Sequence, residues 1–149
     1  MKFNALPFVL VAGALFALAP HSALAVTIVN DGSTITRSDP ADGTDAIQLD
    51  NGSTAVINTG GTVINIGTQP GSMGISARRS SNVTVSGGTV QGRDENNGGR
   101  GIQTAQGGQI DITGGTVSGG DGQARGGWGI AITGGGAITM SGGQATGGE

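Results

Sequence analysis

The chain has 149 residues, a formal net charge of −3, one His and no Cys. The single His, the single Lys (Lys2) and all three Phe fall within residues 1–25, so residues 26–149 keep six Arg against ten acids, a net charge of −4. That balance disfavours nucleic acid and anionic membrane surfaces, which recruit basic patches. It also leaves no His or Cys for a metal site, a disulfide or a His-activated nucleophile.

Residues 1–25, MKFNALPFVLVAGALFALAPHSALA, read as a secretory signal peptide. Lys2 supplies the positive start, an apolar run from Leu6 to Leu18 follows, and Ala23-Leu24-Ala25 offers small residues for cleavage. The run is too short to favour a membrane span. The expectation is export by the Sec route, leaving residues 26–149 as one domain.

From there the chain repeats. IVNDGSTI (28–35), VINTGGTV (56–63), VTVSGGTV (83–90), IDITGGTV (110–117) and ITMSGGQA (138–145) start 28, 27, 27 and 28 residues apart. A second motif lies between them: DAIQLD (45–50), MGISAR (73–78), RGIQTA (100–105) and WGIAIT (128–133). It aligns Ile47, Ile75, Ile102 and Ile130, with Leu49, Ala77, Thr104 and Ile132 two residues on. A fixed period of this size marks a stacked repeat in which no unit buries its apolar face alone. It argues against reading the abundant glycine as disorder, and glycine does not recur every third residue as collagen requires.

Within each octet the apolar residues alternate. Val83 and Val85 share one face and Thr84 takes the other, as in a strand. The glycine pair relaxes the backbone at a corner before a second short strand. Three short strands and three turns in every 27–28 residues predict an all-β fold. The specific form is a right-handed single-stranded parallel β-helix (β-solenoid) of about four to five coils. Three inner columns are expected: Ile28, Val56, Val83, Ile110, Ile138; Ile35, Val63, Val90, Val117, Ala145; and Asn30, Asn58, Val85, Ile112, Met140, in which the two Asn form a short buried ladder. The edge at Ile138–Ala145 is expected to be open to further coils or to self-association.

The octets, the "GI" strands and their shared register over residues 26–149 resemble the passenger domains of pertactin-like autotransporters. The resemblance implies a Gram-negative cell-surface or outer-membrane protein, an adhesin or virulence factor, that engages a host surface protein or glycan. Such proteins end in a membrane β-barrel, and the sequence stops at SGGQATGGE, so residues 26–149 read as a passenger domain truncated at its C-terminal end. A complete small secreted solenoid is the alternative.

The least repetitive segments, QGRDENNGGR (91–100) and SGGDGQARGGW (118–128), are expected at one corner. They carry the candidate ligand-binding residues Trp128, Arg100, Asp94 and Asp121; no catalytic residue, metal site or cofactor is assigned. Arg100 and Trp128 align with Met73 at the strand entry, and an exposed Trp beside an Arg suits a glycan or protein partner. A Trp covering the core edge is the alternative. Asp94 and Asp121, 27 residues apart, fit either a shared Ca²⁺ or two solvated acids. Asp39, Asp42 and Asp45 in SDPADGTDA read as turn residues.

The function expected is non-catalytic adhesion or ligand binding through corner loops. Two alternatives stay open. One is a carbohydrate-active β-helix fragment. The other is an ice-binding solenoid, suggested by the outward Thr34, Thr62, Thr89 and Thr116 but weakened by the mixed neighbouring positions Val29, Ile57, Thr84, Asp111 and Thr139.

Overall fold

The computed structural model describes residues 26–29, 34–37, 45–66, 72–94 and 96–149. Residues 1–25, Asn30, Asp39 and Asp42 lie outside them. The described residues form an all-β parallel solenoid. Its strands are β1 (Val26–Val29), β2 (Thr34–Arg37), β3 (Ile47–Leu49), β4 (Thr54–Ile57), β5 (Thr62–Asn65), β6 (Ile75–Arg78), β7 (Asn82–Gln91), β8 (Ile102–Ala105), β9 (Gly108–Ser118), β10 (Ile130–Thr133), β11 (Gly136–Met140) and β12 (Gln144–Thr146).

Each strand lies parallel to its equivalent one coil away. One ladder runs β1, β4, β7, β9, β11, a second β2, β5, β7, β9, β12, and a third β3, β6, β8, β10. The octets repeat because each must pair along its length with the one before it.

The strands β7 and β9 pass through the glycine pair without ending, so one long strand serves two ladders, with a register irregularity between Val85 and Thr89. The glycines are required there for two different reasons. Gly115 has φ +80°, which side chains resist. Gly88 sits so close to the preceding coil that a Cβ would lie 2.4 Å from the Gly61 carbonyl oxygen.

The core consists of the inward aliphatic columns. Val63, Val90 and Val117 stack as expected, and so do Ile47, Ile75 and Ile102. Val83, Val85, Ile110 and Ile112 are buried, while Thr84 between the first two is half-buried on the outer side.

The first and third expected columns need correction in the first two coils, since Ile28 pairs with Val56 and Val29 with Ile57. Val56 pairs with Thr84, not with Val83. The inward residues are Ala55, paired with Val83, and Ile57, paired with Val85, and both are fully buried. Asn58 therefore does not stand beneath Val85. It is half-buried at the corner, where its Oδ1 accepts from the Ser86 hydroxyl at 3.0 Å, so the column Asn58–Val85 is replaced by Ile57–Val85. The cause is one extra residue. Five residues, Asn58 to Thr62, separate Ile57 from Val63, whereas four, Ser86 to Thr89, separate Val85 from Val90. The outer column beside the threonines is correspondingly Val56, Thr84, Asp111, Thr139, with Ile57 on the inside.

Thr104 occupies the core column between Ala77 and Ile132. It is 0% exposed, and its hydroxyl has no hydrogen-bond partner among the described residues. A buried hydroxyl without a partner costs about 1–3 kcal/mol relative to an apolar group of the same shape. Thr104→Val should therefore raise the urea midpoint at unchanged slope, by about 1 kcal/mol of stability. A lowered midpoint would show that the hydroxyl has a partner in solution.

Candidate functional site

The corner between the second and third ladders holds the two irregular loops. They are stacked by backbone bonds and not merely adjacent. Gly98 N donates to Arg125 O and Gly120 N to Gly99 O, both at 2.8 Å, while Asn97 and Arg125 form a single parallel bridge. Glycine permits this approach. A Cβ on Gly99 would stand 1.9 Å from Ser72 O, and one on Gly120 would stand 1.7 Å from Arg93 O.

Acids tie these loops together at the coil period. Asp94 Oδ1 accepts from the backbone N–H of Asp121 at 2.9 Å, and Asp121 Oδ1 accepts from that of Glu149 at 3.0 Å. Gln91 Nε2 also donates to both Asp94 oxygens, at 3.1 and 3.2 Å. Asp45 plays the same part at the strand entry, where its Oδ1 accepts from Met73 N at 2.9 Å. The 27-residue spacing of Asp94 and Asp121 thus reflects a carboxylate-to-amide ladder, each acid holding the next loop. Asp94, Asp121 and Glu149 line a broad, open depression of about 490 Å³ with Gly122 and Gln123. Among the described residues no group of three or more metal-ligating side chains is close enough to hold an ion.

Arg100 and Trp128 are brought together. They belong to one column at the strand entry, since Gly74 N donates to Arg100 O and Gly101 N to Trp128 O. The Arg100 guanidinium lies over the indole, its Cζ 5.2 Å from the ring centroid, and its Nη1 donates to Gln103 Oε1. A guanidinium facing an aromatic ring at this range gains about 0.5–1 kcal/mol at an exposed site. Trp128 is 60% exposed and stands apart from the apolar core cluster. With Arg100, Arg125, Gly98, Gly126 and Gly127 it borders a second depression of about 190 Å³.

Two residues gave little sign of their setting in the sequence. Arg93 is 1% exposed, and burial lowers its guanidinium pKa from the ordinary value. Asn65 is buried and donates from Nδ2 to Met73 O at 2.8 Å. A charged residue amid Gly, Asp and Asn reads as solvated. The only available hint for Arg93 was its place directly after the Val90 strand, where the chain first leaves the ladder.

Comparison with protein-family models, with curated proteins and with solved structures returned no match.

Proposed function

We propose that this chain is a non-catalytic binding protein. A stacked-coil scaffold presents one irregular corner to its ligand, in the manner of an autotransporter passenger domain exported to the bacterial surface. The reading is supported by the signal-like residues 1–25 and by the passenger-like register of the octets. The observation that carries it is the exposed Trp128 under the Arg100 guanidinium, on the loops that depart most from the repeat. Aromatic and Arg anchors dominate binding energies, and recognition commonly sits on loops held by a rigid frame.

The partner is a host surface glycan or protein. Trp128→Ala combined with Arg100→Ala should reduce glycan-array or cell binding by at least about thirtyfold, corresponding to roughly 2 kcal/mol at an anchor pair. Neither side chain belongs to the buried core, so the β-sheet circular dichroism and the urea midpoint should stay near those of the parent. Retained binding by a folded double variant would sink the proposal.

A further inference from the structure

We infer that the depression beside Trp128 takes a single carboxylated sugar. The inference rests on the binding reading above and names its ligand class. The walls carry two guanidinium residues, Arg100 and Arg125, and one indole, Trp128, while the remaining lining is Gly98, Gly126 and Gly127. Among the described residues no acid lines it; Asp94, Asp121 and Glu149 border the other depression.

Each feature constrains the ligand. About 190 Å³ is below the usual range for drug-sized ligands and suits one ring. An indole offers a flat apolar face to the C–H side of such a ring. The glycine wall is fixed before a ligand arrives, since a Cβ on Gly98 or Gly127 would stand 1.9 Å, and one on Gly126 2.1 Å, from a main-chain oxygen of a neighbouring loop. A guanidinium presents a planar fork that matches a carboxylate in a bidentate pair. Arg100 is already oriented by Gln103 and by the ring, so little side-chain freedom is lost when it engages. A folded protein partner would need several anchors over some 800 Å² per side. The depression is lined by one indole and two arginines, which fits a small polyhydroxylated acid better. The acid ladder on the same loops works against long polyanions, so a lone or terminal acidic sugar is favoured.

Trp128 is the only Trp and the chain has no Tyr, so its emission reports this corner alone. The full chain is titrated with glucuronate, glucose and acetate, separating acid and sugar together from each alone. The expected result is a saturable change with glucuronate at a Kd at least about tenfold below those for glucose and acetate. Arg125→Gln, whose side chain is exposed, should weaken glucuronate about tenfold with unchanged circular dichroism. An equal response to glucose overturns the acidic class and leaves the corner a sugar site. An equal response to acetate overturns the sugar. If none of the three responds but array binding is present and depends on Trp128 and Arg100, the ligand class fails and the binding reading stands. If none responds and array binding is absent, both fail.

Discussion

Val85→Asp should leave the protein unfolded or nearly so, whereas Thr84→Lys, one residue away, should change stability by no more than about 0.5 kcal/mol. Val85 is 0% exposed and stacks between Ile57 and Ile112 in a continuous aliphatic column. A carboxylate there meets only apolar neighbours, and an unpaired buried charge costs upwards of about 4 kcal/mol. Domains of this size have about 5–15 kcal/mol of stability in total. Thr84 faces outward and pairs with Asp111 one coil on, so a lysine there gains an opposite charge at the surface. Urea titrations of the two variants should differ by several kcal/mol. Similar midpoints would mean that the strand faces are assigned the wrong way round.

Gly99→Ala should be nearly as damaging, through backbone and not through polarity. The added methyl would lie 1.9 Å from Ser72 O and 2.8 Å from Arg93 N. Both obstacles are main chain, so no side-chain rotation relieves them, and the loops must separate. That separation breaks the bonds Gly99 makes from its N to Arg93 O at 2.7 Å and from Gly120 N to its own O at 2.8 Å. A loss of about 3 kcal/mol or more is expected, at the upper end for single substitutions. Gly147→Ala is the matched control. Its Cβ would meet only Gly127 O at 3.3 Å, so a change within about 0.5 kcal/mol is expected. Differential scanning calorimetry of the pair checks this, and equal melting temperatures would contradict the close stacking of the loops.

The ladders were legible in the sequence where both strands of a coil kept their length. Val63, Val90 and Val117 could be placed from spacing alone, and so could Ile47, Ile75 and Ile102. The second coil misled because alignment on the glycine pair carries an extra corner residue back into the strand. Ala55, Val56 and Ile57 are consecutive apolar residues, so alternation could not choose between the two registers, and β-branched Val56 imitates Val83. Only pairing with β7 decides, and it puts Ala55 and Ile57 inside.

At the corner, the column placed Arg100 one coil from Trp128, and the two do meet. The coil-spaced acids were legible as equivalents but not as acceptors. Their partners are backbone N–H groups, which leave no trace in side-chain identity. Burial of Arg93 depends on how neighbouring loops fold over it, which a one-dimensional pattern does not encode.

The most direct test of a corner carried on a rigid solenoid is residue-by-residue mapping of backbone amide shifts as an array-selected glycan is titrated into the isotope-labelled chain. A corner site predicts shifts confined to residues 98–100 and 125–128, with the amides of Val83–Val85 and Ile110–Ile112 unmoved. Shifts centred on the outward threonine column at Thr62, Thr89 and Thr116, with the Trp128 indole unchanged, would contradict it.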